Sequence, residues 1–144
     1  MQVFRILLWA GLTGVLWGGS HAPARHEVQG WLGVFQAGPE QLELKWQEGL
    51  QLCLDRITIP VDGLWHETVP TFAVRHRARW VPAQGWIEVS EQHSEGRLGR
   101  YRLELAEQGR QLIKTVFALE NGGQEVQVRQ FRRLQTEAEQ GGRR

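Results

Sequence analysis

Residues 98–134 of this 144-residue chain, LGRYRLELAEQGRQLIKTVFALENGGQEVQVRQFRRL, decide its fold. Three runs alternate apolar and polar side chains, which is the period of a half-buried β-strand. The alternating positions are Tyr101, Leu103, Leu105, Ile113, Thr115, Phe117, Leu119, Val126 and Val128. Glycine-bearing turns at Gln108-Gly109 and Asn121-Gly122-Gly123 separate the runs, so this stretch predicts an antiparallel meander.

Five further strand-like runs precede the meander, joined by short connections. The predicted strands are residues 31–35, 42–46, 50–59, 68–81, 86–93, 98–106, 111–120 and 125–134. In the third run the apolar phase slips between Leu54 and Ile57, which we interpret as a β-bulge. A sheet with two unpaired edges is expected to close on itself. The sequence therefore predicts an all-β fold, an eight-stranded antiparallel up-and-down β-barrel that is filled or holds one small ligand.

Residues 1–24 predict a secretory signal peptide. Arg5 supplies the positive start, residues 6–17 the apolar run, and Ala22-Pro23-Ala24 a small-residue cleavage site, with a cut after Ala22 as the competing position. An uncleaved anchor and a buried helix are the alternatives, and four glycines in the segment disfavour the helix. We expect an exported domain at residues 25–135, periplasmic or secreted, followed by a polar tail at residues 136–144.

Composition narrows the class of protein. The chain is 41% hydrophobic and 23% charged, as expected for one globular domain. With 17 Lys+Arg against 16 Asp+Glu it lacks the positive charge that general nucleic-acid binding needs. The single cysteine, Cys53, cannot form an internal disulfide. Its place in the apolar run at residues 50–54 predicts a shielded, inert thiol rather than a reactive or ligand-attaching one.

The first and last strands resemble those of a known family. The segment WLGVF at residues 31–35 resembles the first-strand motif of the lipocalin and wider calycin barrels, with Phe35 where a tryptophan usually stands. The last strand is similar to the closing strand of lipocalin-like bacterial domains, where an arginine packs over that aromatic. The resemblance implies structural roles for Gly33, Phe35, Arg129 and Arg132, with Arg133 beside them. It also implies a bound lipophilic small molecule.

The fourth predicted strand has two chemically different faces. One face carries Phe72, Val74, His76, Ala78 and Trp80, and the other carries Arg75, Arg77 and Arg79. With the apolar face inward, the arginines form an exterior stripe that can pair with Glu88 or Glu91. The opposite orientation places three arginines inside, where they would hold an anionic ligand. We favour the exterior stripe, because burying three arginines without matching carboxylates is costly.

No catalytic or metal-binding signature stands out. His66, His76 and His93, with Glu67, would form a metal site only if the strand ends converged, and their spacing does not indicate that they do. Serines, Cys53 and histidines could act as nucleophile and base, but the sequence shows no recognisable catalytic arrangement of them. We therefore predict neither a metal, nor a cofactor, nor a catalytic residue.

Two functions fit these observations. The first is a monomeric, non-catalytic barrel that binds a small apolar or amphipathic ligand. Its predicted lining is Trp46, Phe72, Val74, His76, Trp80, Tyr101 and Phe117. The second is a filled barrel acting as an accessory or interaction protein of an envelope or membrane-bound complex, through exterior Trp and Arg side chains. An outer-membrane barrel is disfavoured by charges at positions that would face lipid. The volume of the interior distinguishes the first two.

Overall fold

The structure, a computed structural model, describes residues 22–118 and 124–136. A short helix α1 (Arg25–Val28) and a 3-10 turn (Gln29–Trp31) precede the strands. The strands are β1 (Gly33–Ala37), β2 (Glu40–Trp46), β3 (Leu50–Leu54), β4 (Ile57–Pro60), β5 (Trp65–Val69), β6 (Val74–Val81), β7 (Trp86–Gln92), β8 (Leu98–Ala106), β9 (Gln111–Ala118) and β10 (Gln124–Thr136). Further 3-10 turns lie at Pro70–Phe72 and Glu107–Gly109.

The strands form one antiparallel sheet that curls into a nearly closed barrel. Their order is β4-β3-β2-β1-β10-β9-β8-β7-β6-β5, so the first and last strands pair with each other. The two edges meet just after β4, where Val61 forms a parallel bridge with Ala78 and the Gly63 amide donates to the Ala78 carbonyl at 2.8 Å. The predicted antiparallel all-β barrel is confirmed in this coarser form.

The predicted count of eight strands is wrong, because two of the predicted strands are hairpins. The phase slip before Ile57 is a tight turn at Asp55 and Arg56 rather than a bulge, and Asp55 has a φ of +52°. Aspartate tolerates this left-handed conformation better than most residues. The predicted strand at 68–81 is likewise broken by the turn Pro70–Phe72, where Ala73 has a φ of +52°.

The phase of β9 also differs from the prediction. Leu112 pairs with Leu105 and Lys114 with Leu103, so Leu112 and Lys114 face the interior while Phe117 faces out. This strand carries large apolar side chains on both faces, and alternation alone therefore does not set which face is buried. Val126 and Val128 on β10 are exposed on the outer surface. The predicted turn at 121–123 lies outside the described residues.

One half of the barrel is filled and closed. Its fully buried side chains include Phe35, Leu42, Leu44, Leu50, Leu52, Ile59, Ile87, Leu103, Leu112 and Phe131. The N-terminal segment covers this end: Trp31 packs edge-on against Trp80 with ring centres 5.7 Å apart, and the Trp80 indole donates to Glu27 Oε2 at 3.3 Å. Val28, the last residue of α1, is fully buried. We call this the closed end, and the opposite end the mouth.

An arginine from the last strand does pack over Phe35, but it is Arg133. Its guanidinium lies 4.5 Å from the centre of the Phe35 ring. Arg132, to which the resemblance gave a structural role, is exposed on the outer face of β10. A register shift between β1 and β10 at Val34 and Phe35 brings Arg133 opposite Phe35. Because neighbouring residues of a strand face opposite sides, only one of the two arginines can reach the ring.

Strand β6 takes the favoured orientation. Val74, His76, Ala78 and Trp80 are buried on its inner face. The arginines lie on the outer face, where Arg79 forms a salt bridge with Glu88 at 2.7 Å and Arg75 donates to Gln92 Oε1 at 2.6 Å. Arg79 is therefore paired with a carboxylate across β7, as cross-strand pairs on one face of a sheet allow, whereas Arg75 bonds to a neutral amide.

The segments flanking the barrel are only partly described. Most of the predicted signal segment, residues 1–21, and most of the polar tail, residues 137–144, lie outside the described residues. Within the described ranges, no helix is both long enough and apolar enough to cross a membrane. Cys53 lies half-buried on the outer face of β3, with its Sγ 3.9 Å from Thr58 Oγ1.

Candidate functional site

The mouth of the barrel contains a cavity of about 540 Å³. One part of its wall is apolar and consists of Leu54, Ile57, Val69, Phe72 and Val74. The other part is polar and includes His76, Glu91, His93, Tyr101 and Lys114. The barrel is thus divided along its length into a packed closed half and an open half with a chemically two-sided wall.

A carboxylate held by two histidines lies on the polar wall. His76 on β6 pairs in register with Glu91 on β7, and paired residues share a face of the sheet, so both point into the barrel. His76 Nε2 lies 3.1 Å from Glu91 Oε2, and His93 Nε2 contacts the other oxygen, Oε1. His76 is 3% exposed, and its Nδ1 lies 2.5 Å from Thr68 Oγ1. This chain of hydrogen bonds fixes the ring of His76.

The histidines stabilise the ionised form of Glu91. Hydrogen bonds from His76 and then His93 lower the pKa of Glu91 from 4.5 to about 2, against burial, which raises it. Glu91 is therefore an anion throughout the ordinary pH range. The sequence suggested Glu91 only as an outward partner of the arginine stripe. Alternation along β7 with the buried Ile87 and Val89 places it inside, and this signal was available in the sequence.

A second polar group lies further along the polar wall, around Lys114 on β9. Lys114 Nζ is 3.2 Å from Glu40 Oε1, and Arg129 Nη1 is 2.5 Å from the other oxygen of the same carboxylate. Arg129 also donates to the Ala37 carbonyl at 3.2 Å. One carboxylate is thus shared by two cations. Sequence reasoning missed Lys114 because it assigned the opposite face of β9 to the interior.

Tyr101 lies between these two groups. It is 8% exposed, and Lys114 Nζ lies 4.6 Å from the centre of its ring. Burial raises the pKa of the phenol, and the nearby carboxylates of Glu91 and Glu40 raise it further, so the hydroxyl keeps its proton. Among the described residues this buried hydroxyl has no hydrogen-bond partner.

The predicted lining residues fall into three places. Phe72, Val74, His76 and Tyr101 line the cavity. Trp80 lies in the closed end, and Trp46 packs against the core at the far end of β2 from Glu40. Phe117 lies on the exterior, with the guanidinium carbons of Arg100 and Arg102 at 5.1 and 5.2 Å from its ring centre.

In the described part of the chain, no group of three or more His, Cys, Asp or Glu side chains is placed to hold a metal ion. His66 instead bonds to Asp62 at 2.8 Å. Thr68, the hydroxyl bonded to His76, is not among the side chains that line the cavity. Glu91 and its two histidines form a hydrogen-bonded group on the cavity wall.

Comparisons with protein-family models, with curated proteins and with solved structures found no match for this chain.

Proposed function

We propose that this protein is an exported, non-catalytic, lipocalin-like barrel that binds a small amphipathic molecule in the cavity at its mouth. The observation that carries the proposal is the 540 Å³ cavity with one apolar and one polar wall. Binding cavities for small molecules have volumes of roughly 300 to 1,000 Å³ and combine an apolar lining with a few polar groups.

The apolar wall contains one exposed aromatic side chain, whose surface a bound ligand would remove from water. Phe72 is 69% exposed at the rim, although the rest of its wall is formed by aliphatic side chains. Covering apolar surface contributes about 25 cal/mol per Å² removed from water. An alkyl or ring portion of a ligand lying against Phe72, Val69 and Ile57 would remove this exposed surface.

The packed half of the barrel supports the same function. Fully buried side chains fill it, and Trp31 and Trp80 close it beneath α1. A filled base keeps the cavity walls in fixed positions. The protein therefore loses less conformational entropy when a ligand binds. It also leaves the mouth as the route by which the ligand enters and leaves.

Export and lipocalin-likeness are supported by particular residues. The contact between Arg133 and Phe35 is of the kind that the lipocalin resemblance implies. The pattern of residues 1–24 supports a cleaved signal peptide. Pro23 is buried and the Ala24 amide donates to Glu27 Oε1 at 2.9 Å, which favours a cut after Ala22 over one after Ala24. N-terminal sequencing of the exported chain separates the two.

The test is native mass spectrometry of the chain purified from its native host, followed by denaturing mass spectrometry of the same sample. We expect a copurified small-molecule mass that is lost on denaturation. Val74→Trp, which fills the cavity, should lose this mass, while the matched control Val128→Trp on the exposed outer face should retain it. A wild-type sample that carries no small molecule would contradict the proposal.

The second candidate is an interaction protein of an envelope or membrane-bound complex. It is favoured by one observation, the exposure of the neighbouring Val126 and Val128 on the outer surface of β10. Exposed apolar side chains that cluster on a surface mark protein contacts. This candidate gains support if the wild-type chain is a ligand-free monomer and Val128→Glu abolishes a complex that the wild type forms in envelope extracts.

A further inference from the structure

We propose that the polar end of the ligand is a carboxylate, bound between the Tyr101 hydroxyl and the Lys114 ammonium group. This inference rests on the proposed function, since it assigns the chemistry of one wall of the same cavity. It is carried by one buried donor without a partner among the described residues, the Tyr101 hydroxyl, which lies beside an ammonium group with N–H donors to spare.

The two carboxylates whose charges act on Tyr101, those of Glu91 and Glu40, are already occupied. Both oxygens of Glu91 are contacted by imidazole nitrogens, one from His76 and one from His93. Both oxygens of Glu40 are contacted by cations, one from Lys114 and one from Arg129. A ligand group that donates hydrogen bonds would therefore compete with contacts that the protein makes itself.

The donors have spare capacity. The Tyr101 hydroxyl is buried and has no partner in the described part of the chain, and an unpaired buried hydroxyl costs roughly 1 to 3 kcal/mol. An ammonium group carries three N–H donors. Lys114 directs one to Glu40 and lies over the ring of Tyr101, so its ammonium and the Tyr101 side chain border the same space. A ligand atom that accepts from both would relieve the cost at Tyr101.

The ammonium group of Lys114 favours an anion over a neutral acceptor as its hydrogen-bond partner. Lys114 and Arg129 share the single carboxylate of Glu40, which leaves one positive charge in excess. Glu91, on the same polar wall, is bonded by imidazoles at both oxygens, and Glu95 pairs with Arg97 at the rim. Lys114 is 17% exposed, so a hydrogen bond from it to an anion is charge-assisted and weakly screened.

Two probes with the same chain and different head groups test this. Decanoate and decan-1-ol are titrated calorimetrically into the full chain at pH 7. We expect decanoate to bind about tenfold more tightly than decan-1-ol, the size of one charge-assisted hydrogen bond. Tyr101→Phe, which removes only the hydroxyl, should weaken decanoate binding about tenfold and leave decan-1-ol binding unchanged.

Variants of the two lysines complete the test. Lys114→Met should abolish the preference for decanoate, and Lys114→Arg should retain it because the positive charge is kept. Lys45→Met is the matched control, because Lys45 lies on the outer face of β2 and should leave both affinities unchanged. Unchanged binding of decan-1-ol by each variant shows that its cavity is intact.

The outcomes separate this inference from the proposed function. If wild type binds decanoate and decan-1-ol equally, or if Lys114→Met retains the preference, the carboxylate assignment is wrong while binding in the cavity stands. If wild type binds neither probe and carries no copurified small molecule, the proposed function itself fails. A preference lost in Lys114→Met and kept in Lys114→Arg and Lys45→Met supports the assignment.

Discussion

Arg133 lies with its guanidinium 4.5 Å from the centre of the Phe35 ring and donates to three backbone carbonyls in two segments of the chain. The acceptors are Gly109 at 2.6 Å, Leu32 at 2.8 Å and Gly30 at 2.5 Å. One side chain of the last strand therefore joins the N-terminal segment just ahead of β1 and the turn between β8 and β9.

Replacing Arg133 by lysine should destabilise the fold. Lysine keeps the charge but loses the planar fork that reaches three carbonyls and stacks on Phe35. We expect a loss of about 1 to 3 kcal/mol in the free energy of unfolding, measured by urea denaturation. Arg132→Lys on the exposed outer face is the control and should change it by less than about 0.5 kcal/mol. Equal effects at the two positions would contradict this role for Arg133.

Strand β8 offers a second matched pair. Leu103 is 0% exposed in the packed half of the barrel, and Leu98 on the same strand is 51% exposed. Leu103→Ala should lower the free energy of unfolding by about 2 to 5 kcal/mol, because it leaves a cavity in a filled core. Leu98→Ala should cost less than about 1 kcal/mol. The denaturation midpoints of the two variants measure the difference, and a mild effect at Leu103 would mean that this half is not tightly packed.

Stability should fall with acid because of Glu91. Its pKa is about 2 in the folded protein against an ordinary value of 4.5, so its contribution is complete above about pH 4.5 and is lost as the pH falls towards 2. The carboxylate is 33% exposed and partly screened, and we expect the contribution to be about 1 kcal/mol.

The measurement is the free energy of unfolding of wild type and Glu91→Gln between pH 7 and pH 2. The difference between the two proteins should be constant down to about pH 4.5 and shrink below it. Glu95→Gln is the control, since Glu95 and its partner Arg97 are mostly exposed and such pairs contribute little. A difference that does not change with pH would show that Glu91 is not held ionised by its histidines.

Two phenylalanines should differ in their effect on ligand binding. Phe72→Ala removes an aromatic side chain from the cavity rim and should weaken decanoate binding about tenfold, since it removes apolar area that the ligand would cover. Phe117→Leu changes a side chain that lies outside the barrel beneath Arg100 and Arg102, and should leave the affinity unchanged. Calorimetric titration of both variants checks this, and a large effect at Phe117 would place the ligand elsewhere.

The sequence predicts which side chains face the interior, and where strands end, better for some strands than for others. The alternation in β8 correctly assigned Tyr101 and Leu103 to the interior, because its outer face is polar or charged. In β9 both faces carry apolar residues, so only the pairing of Lys114 with Leu103 reveals which is inside. The pattern at Leu54 and Ile57 fits either a bulge or a tight turn, and the pairing of β3 with β4 decides for the turn.

The candidate site was predicted only in part for the same reason. His76 was predicted to face the interior because the opposite face of β6 carries three arginines, which are costly to bury. Glu91, Glu40 and Lys114 each come from a different strand, and their side chains meet only through the register of the sheet. Distances across a barrel mouth depend on long-range pairings that local periodicity does not contain.

The covering of the closed end by residues 23–31 fixes how the barrel can be held. Pro23, Val28 and Trp31 are buried there, so the described chain begins at the base, at the opposite end from Glu91 and Lys114. A tether, a tag or an immobilising surface joined to the chain ahead of Pro23 would hold the barrel by its base. The rim with Phe72 would then face outward, open to molecules delivered from solution or from a neighbouring surface.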